Sequence, residues 1–411
     1  MKLKIKDITK LNESSISSND NFEFINYLDT SSITKGKIDC WQRLTGNFPS
    51  RAKRKIKENT IIYSTVRPNQ EHYGFFNIID KINCIVSTGF TTIDVVSNEI
   101  HPKYLYYSLT QEWVTNYLQT LAENSVSAYP SINPSDIGNL RLSFPKFDMQ
   151  KKIADILSDI DNKITVNNQL NDNLEKQAKL LYDYWFVQFD FPDENGKPYK
   201  SGGGKMIWND VLKREIPEGW EVNKVKDIAR TGSGGTPKST VVEYYSRGTI
   251  PWINSGEVNN PFIINTKNYI SELGLQNSNA KIFPSYTLIM AMYGATAGKV
   301  SVLAFEASTN QAICAVMPNE NNLFFYMKFA LEDMYEYLIS LSSGSARDNL
   351  SQDKIKELNI VYPEFKVLDS FMLNVQLFYD KIENNLKQNQ ELTQLRDWLL
   401  PMLMNGQIKV E

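Results

Sequence analysis

The sequence predicts an α/β protein of the α+β kind, in which two similar globular domains are separated by two long antiparallel coiled-coil helices. The whole is an internal duplication about a pseudo-two-fold axis. Three observations predict it. An apolar stripe stepping alternately by four and three runs through Ile153, Leu157, Ile160, Ile164, Asn167, Asn171, Leu174, Ala178, Leu181 and Trp185, the heptad signature of a helix packed on another long helix. Adding 218 to each number gives Phe371, Val375, Phe378, Ile382, Asn385, Asn389, Leu392, Arg396, Leu399 and Leu403, with the two asparagines in the same places. Around the stripes one strand-rich grammar occurs twice: KVKDIAR at 224–230 echoes KIKDITK at 4–10, YTLIMAMY at 286–293 echoes NTIIYSTV at 59–66, and AST at 307–309 echoes VST at 86–88.

In chain order, residues 1–146 read as the first globular domain. Segments 60–66 and 83–88 have the β-branched, aromatic composition of buried strands; 104–121 has helical spacing, and 137–145 alternates like a strand ending at a proline. Residues 147–189 form the first long helix. Residues 190–220, rich in Gly, Pro and charge and containing SGGG, read as a linker that holds no single conformation cheaply. Residues 221–363 repeat the first domain, and 364–411 form the second long helix and a tail. The string at 343–365 aligns without gaps on 125–147, and roughly one position in five is identical between 137–186 and 355–404. A period of about 219 residues is far too long for a solenoid and marks a duplicated domain with its helix.

A two-fold axis perpendicular to the helices makes them antiparallel, bringing Asn167 to Asn389 and Asn171 to Asn385. Each helix of about 37 residues is on the order of 55 Å long at ~1.5 Å per residue. The four asparagines either fix the register of this pair, since polar seam residues penalise slipped alignments, or line a solvated gap. Pro401 is expected to end or kink the second helix.

The 411 residues indicate two or three domains. The formal charge of −3 means that any nucleic-acid surface must come from local clusters. Cys40, Cys84 and Cys314 have no paired spacing and fit reduced thiols, with no disulfide framework or zinc site. MKLKIKDITK lacks the apolar core of a signal peptide and no run approaches a membrane span, so a cytoplasmic protein without membrane contact is expected.

Catalytic material is sparse. Two histidines, His72 and His101, offer little for a triad or metal site, and no metal is expected. GATAGKVS at 294–301 has three residues between its glycines where a phosphate loop needs four, and reads as a hairpin turn. TGSGGTP at 231–237 lacks the dinucleotide spacing, and no N-P-P-aromatic or D-P-P-aromatic motif of an amino-methyltransferase occurs.

Binding signals are stronger. SRAKRKIK at 50–57 clusters Arg51, Lys53, Arg54, Lys55 and Lys57, suited to phosphates, although a solvated loop accounts for such a run as well. Arg43 lies in the preceding loop, and Arg67 and Asn69 leave the end of a strand where long polar side chains reach base edges. Tyr129 matches Arg347 across the repeat. In the second half Gly232 and Ser233, with Thr236 and Lys238, supply small residues and a cation for close approach to phosphate. Asn254, Ser255, Glu257, Tyr293, Thr296, Asn310 and Gln311 sit in neighbouring turns, and amides pair bidentately with adenine. For each, a satisfied loop polar group is the alternative. Most aromatics should be core; Trp185, Phe186, Trp398 and Met402 or Met404, at the helix ends, fit either core or a partner contact.

Seven strings, in this order, carry a family resemblance: PKFDMQKKIADILSDIDNKI, LLYDYWFVQFDFP with GGKMIW and IPEGWEV, TGSGGTP, PWINSGEV, and LLPMLMNGQIKV. Across nearly its whole length the chain resembles the specificity subunit of type I restriction-modification systems. The resemblance implies a non-enzymatic reader of double-stranded DNA, each domain a target-recognition domain for one half of a split asymmetric sequence. The helices would set the gap between halves and bind two modification subunits. Those partners use S-adenosylmethionine to methylate adenine N6, and restriction subunits bring an ATP- and Mg-dependent motor-nuclease; no cofactor is expected on this chain. In the second copy PEFKVLDSFM lacks the equivalent of Gln150, and the N-terminus lacks the entry segment seen at IPEGWEV. GQIKVE is expected to fill that role by running beside the N-terminus. The rival expectations are a two-lobed scaffold for protein partners and an enzyme of unrecognised mechanism.

Overall fold

Both heptad stripes form continuous helices, Phe147–Tyr182 and Phe365–Met404, the first running on into a π-helical turn at Asp183–Val187. The computed structural model describes residues 1–17, 19–77, 82–125, 129–335, 337–338, 350–408 and 410. These divide into two compact units, Met1–Ile164 with Glu391–Glu411, and Thr165–Gln390, so each unit contains a stretch of both long helices.

In unit 1 the strands are β1 (Lys2–Lys4), β2 (Thr9–Leu11), β3 (Phe24–Leu28), β4 (Ile33–Thr34), β5 (Lys37–Ile38), β6 (Gln42–Thr45), β7 (Ala52–Lys55), β8 (Thr60–Ser64), β9 (Tyr73–Phe76), β10 (Cys84–Ser87), β11 (Phe90–Val95) and β12 (Arg141–Ser143). They form one sheet in the order β2-β11-β8-β9 and another in the order β6-β3-β10-β7, in which β3 and β10 run parallel; β1 pairs with β12. The β8 run TIIYS is buried along its length, which is why it shows no alternation of apolar and charged residues.

In unit 2 the hairpin β13 (Met206–Asn209) and β14 (Arg214–Pro217) precedes β15 (Glu221–Lys224), β16 (Ala229–Ser233), β17 (Ile250–Ile253), β18 (Phe262–Ile263), β19 (Tyr269–Ile270), β20 (Ile282–Phe283), β21 (Leu288–Ala291), β22 (Val300–Leu303), β23 (Ala307–Thr309), β24 (Ile313–Pro318) and β25 (Asn359–Tyr362). The sheets are β16-β24-β21-β22-β18 and β19-β17-β23-β20, with β17 and β23 parallel, and β15 pairs with β25. Apart from β18 and the separate hairpins β4–β5 and β13–β14, the strand order is that of unit 1. The echo of KIKDITK in KVKDIAR is a strand, one helical turn and a strand in both copies.

Each domain packs on the helices through its own core. In unit 1 Ile153, Leu157 and Leu403 of the long helices join Ile5, Tyr63, Tyr104, Leu105 and Phe144. In unit 2 Tyr182, Trp185 and Phe186 meet Phe371, Val375 and Tyr379, with Phe186 and Phe371 edge to face at 4.9 Å. Trp185 and Phe186 are thus core, whereas Trp398 is 55% exposed. Gln150 is fully buried: its Nε2 donates to the carbonyls of Glu99 and Pro145, and its Oε1 accepts from the His101 amide. The equivalent position in the second copy is a buried leucine, Leu368, so an apolar contact replaces this polar clamp.

Four local expectations are corrected. The segment 104–121 is two helices, Pro102–Leu109 and Glu112–Glu123; Gln111 turns extended between them while its Nε2 and the Thr110 hydroxyl bond back to the carbonyls of Ser108 and Tyr107, the competition with the helical ladder typical of such side chains. Segment 137–145 is a helix end followed by β12: Asn133, Pro134 and Asp136 start the helix Pro134–Asn139 as a capping box, with the Asn133 amide donating to Asp136 Oδ2 at 2.7 Å. Pro401 does not end the second helix, which runs on to Met404 with Gly406 beyond it at φ +69°; only one amide is lost, in the last turn. The linker is folded. Phe191 stacks between Tyr199 and Trp220 at 4.6 and 4.9 Å, and a Cβ on Gly202 or Gly204 would meet backbone carbonyls of 198 and 199 at 2.3 and 2.6 Å. Its glycines are demanded by tight turns.

GATAGKVS is the connection of the β21–β22 hairpin. Both chain termini belong to unit 1, where Ile408 and Val410 pack on the same core as Leu3. Among the described residues no helix is long and apolar enough to cross a membrane.

Candidate nucleic-acid interface

The basic run of unit 1 is a strand edge, and alternation along β7 divides it. Ala52 is buried, and Arg54 turns to Ser15, Nη1 donating to Oγ at 3.0 Å. Lys55 pairs with Asp20 at 2.6 Å; that hydrogen bond, with the Ser17 amide, holds the Asp20 carboxyl down at about 2. Lys57 pairs with Glu13. Arg51 and Lys53 remain exposed. Arg43, at the opposite edge on β6, lays its guanidinium 3.8 Å from the centre of the Phe24 ring. Three strand spacings, about 14 Å, separate β6 from β7, so these cations form two groups.

A third group is the loop after β8. Arg67 has left-handed backbone, φ +47° and ψ +69°, and its amide donates to the Pro130 carbonyl at 2.9 Å. Its guanidinium carbon lies 5.1 Å from the centre of the Tyr129 ring. The Asn69 amide donates to Gln119 Oε1 at 3.1 Å, leaving the Asn69 side chain exposed. Gln119 carries no sequence signal; it is found only from the fold.

In unit 2 most candidates converge on the ends of β16, β17 and β23. Thr236 donates to Gln311 Oε1, and Ser233 Oγ to the Gln311 and Ile313 carbonyls. Asn310 Nδ2 donates to Asn254 Oδ1 at 3.4 Å, and Thr296 Oγ1 to the Ser255 carbonyl at 2.8 Å. The expected close approach of TGSGG to phosphate is instead made to protein: a Cβ on Gly234 would lie 1.9 Å from the Thr309 carbonyl oxygen, one on Gly235 2.5 Å from Asn279, and one on Gly232 2.8 Å from the Phe283 ring. Asn254 and Glu257 form a capping box, the Asn254 amide donating to Glu257 Oε1 at 2.9 Å. Glu257 is thereby engaged in structure, and Thr296 is buried. Tyr293 is half-buried against the core, and burial pushes its phenol up. Thr236, Lys238 and Gln311 are exposed. Arg347 lies outside the described residues. The unit 2 tip thus combines mutually bonded amides and hydroxyls, a chemistry suited to base edges, with the exposed Lys238, suited to phosphate.

Between the helices in unit 2, Asn167 Nδ2 donates to Asn389 Oδ1 and Gln388 Oε1, both at 2.8 Å. Asn385 Nδ2 donates to Asn171 Oδ1 at 2.8 Å, and Asn389 Nδ2 to Asn168 Oδ1 at 2.9 Å. The four seam asparagines are 2–9% exposed, so they line no solvated gap, and the pairing is antiparallel. In unit 1 the seam residue Arg396 binds Asp161 at 3.0 Å, and Asp161 also accepts from the Tyr107 hydroxyl at 2.6 Å.

Among the described residues no group of three or more His, Cys, Asp or Glu is placed to hold a metal ion. Comparison with known proteins gives a consistent result. The family described as the type I restriction modification DNA specificity domain matches twice, at residues 1–176 and 217–394. The chain is 28% identical to the type I restriction enzyme HindI specificity subunit of Haemophilus influenzae, over 93% of this chain and 94% of that one. It is 26% identical to the MjaIX specificity subunit of Methanocaldococcus jannaschii, over 89% and 84%. Its fold is similar to the crystal structure of a type I restriction-modification S subunit from M. genitalium, with TM-score 0.56, 18% identity and coverage of 98% and 95%. With the two family matches spanning most of its length, the chain belongs to the type I restriction-modification DNA specificity family.

Proposed function

We propose that this chain reads a bipartite, asymmetric sequence on double-stranded DNA, one half-site per recognition domain (1–146 and 221–363). The helices 147–189 and 364–411 set the gap between the halves, with 190–220 joining the copies. It acts without catalysis of its own in the cytoplasm, directing two methyltransferase subunits to adenine N6 and restriction subunits to the same site. S-adenosylmethionine, ATP and Mg belong to those partners. The observation that carries the reading is the recurrence of one strand order in both units with chemically different tips: a shared frame with separately varied reading heads. The asparagine ladder supports a register role for Asn167, Asn171, Asn385 and Asn389, because a slip of one heptad would strand buried amides.

Exchange of residues 1–146 for those of a relative of known target, with methylated adenines mapped in a host carrying the partner methyltransferase, is expected to change one half-site only. A change in both halves refutes modular reading. Salt-insensitive DNA retention by the complex would favour a protein scaffold, since phosphate contacts release counterions.

A further inference from the structure

The loop between β8 and β9 is built around one arginine. Residue 66 bridges to Ser131, the Arg67 amide donates to Pro130, and the Ile132 amide to the Thr65 carbonyl, tying the loop to 130–132. On its other side the Asn69 amide is held by Gln119, itself bonded to Glu123. Lys35 pairs with Glu71 at 2.9 Å, and its amide donates to the Glu71 carbonyl. Pro68 is buried between these anchors, and residues 67 and 71 both take left-handed backbone. The result is a rigid projection whose tip is an exposed guanidinium lying over the Tyr129 ring.

Arg43 of β6 also lies over a ring, 3.8 Å from the centre of Phe24, but on a strand edge and not on an anchored loop, and the remaining cations of the basic run differ further. Lys55 and Lys57 are neutralised by carboxylates and Arg54 is turned inward. A phosphate contact needs only charge and tolerates a mobile side chain. Held over the Tyr129 ring, 5.1 Å from its centre, the exposed guanidinium has fewer orientations open to it than a free side chain, and its forked N–H donors match the paired O6 and N7 acceptors of guanine in the major groove. Adenine presents a donor where guanine presents O6, so a group that only donates discriminates between them.

We infer that Arg67, oriented by Tyr129 and by the loop anchors on Pro130 and Gln119, reads a guanine in the half-site served by unit 1. This rests on the proposed DNA-reading function and adds the base. Tyr129 and Gln119 are positioning residues. The unit 2 tip, with Gln311, Asn310 and Asn254 in place of an arginine among its described residues, follows a different code.

The test maps methylated adenines genome-wide for the full chain with its methyltransferase partner, comparing the unaltered chain with Arg67→Gln, Arg67→Lys and Tyr129→Leu. The unaltered half-site is expected to contain a guanine that Arg67→Gln relaxes by roughly 5- to 150-fold, the discrimination one bidentate pair supplies. Every other position and the second half-site should stay unchanged. Arg67→Lys should retain a weakened preference, and Tyr129→Leu, which keeps the arginine, should weaken discrimination at the same base pair. A uniform loss of methylation with an unaltered consensus makes Arg67 a phosphate contact and overturns the inference. So does an unchanged pattern, or a half-site without guanine. Absence of any sequence preference in the unaltered complex refutes the DNA-reading function itself, a separate outcome.

Discussion

Replacing Asn167 by alanine tests whether the helix pair is held by its amides. Asn167 is 2% exposed and donates to both Asn389 Oδ1 and Gln388 Oε1. Gln388 is exposed, so water replaces the lost donor there. Asn389 is 9% exposed, and its Oδ1 loses the hydrogen bond from Asn167. A hydrogen bond lost at a buried acceptor costs about 1–3 kcal/mol. Taking about 2 kcal/mol, and a urea slope of about 3 kcal/mol per M for a transition of this size, the midpoint falls by about 0.7 M. Asn167→Leu with Asn389→Leu removes donor and acceptor together, fills the seam with side chains of the kind found there in heptads, and should leave the midpoint within about 0.3 M of the unaltered chain. The cycle therefore predicts strong non-additivity. The second rung is expected to be weaker. Asn171 accepts from Asn385, but its own Nδ2 is buried with no acceptor among the described residues, so Asn171→Leu should cost less than Asn167→Ala. The assay is reversible urea unfolding followed by circular dichroism. A silent Asn167→Ala, or a double variant as damaged as the sum of its singles, refutes the argument.

Three further outcomes follow from other parts of the molecule. Lys328 is fully buried, 2.7 Å from Glu332 and 3.5 Å from Glu175, with the Tyr379 ring 5.3 Å away; it ties the helix Phe324–Asp333 to both long helices. Burial opposes its charge, but Tyr379, Glu332 and Glu175 outweigh that and raise its pKa above the ordinary lysine value. The pair's contribution is therefore present below that value and lost only as pH rises past it, so stability should be flat between about pH 6 and 9 as far as this residue is concerned. Lys328→Ala should destabilise by about 3 kcal/mol, the low end for a broken buried pair because the carboxylates are partly exposed, and calorimetry checks it. Burial pushes the Cys314 thiol up to about 12, whereas Cys40 is exposed. Alkylation near neutral pH should label Cys40 first, with Cys314 reacting only on unfolding; rapid native labelling of Cys314 would contradict its placement. A seven-residue insertion beside Asn167 and another beside Asn389, made together, add two turns, about 10.5 Å. The spacing of the methylated half-sites should then grow by about three base pairs at 3.4 Å each, and an unchanged gap in an active complex would refute the spacer role.

The two helices are legible in the sequence because neither a strand nor a loop keeps a 4-3 apolar stripe over ten positions. The repeat is legible because KIKDITK and KVKDIAR differ at few positions and fold identically. Short elements are harder to read. The Asn133 and Asn254 capping boxes carry a plain N-x-x-D/E signal. Yet at 254–257 the same residues suit base recognition, since a loop amide beside a carboxylate looks the same in either role. Glycines mislead for a related reason. Sequence shows that a Cβ is missing at Gly234 and Gly235, and only the fold shows that the Thr309 and Asn279 backbones fill the space. The basic run at 50–57 displays its charge but not its partners, and Asp20 and Glu13, which neutralise it, lie more than thirty residues away.

That pattern has a physical basis in how the molecule divides its labour. Core positions answer to a scalar property, apolar area removed from water, so valine, isoleucine and leucine exchange freely and the frame survives in both units. Recognition positions answer to direction. Arg67 depends on the Tyr129 ring beneath it, on Gln119 behind Asn69, and on the bond from its amide to Pro130, none of which is adjacent in sequence. Gln311 depends in the same way on Thr236 and Ser233, more than seventy residues earlier. One strand order therefore carries an exposed arginine at the tip of unit 1 and a set of bonded amides at that of unit 2. Because Arg67 and Gln311 are exposed, substitution at these two positions is expected to change which base pairs are accepted while leaving the fold and the asparagine ladder intact.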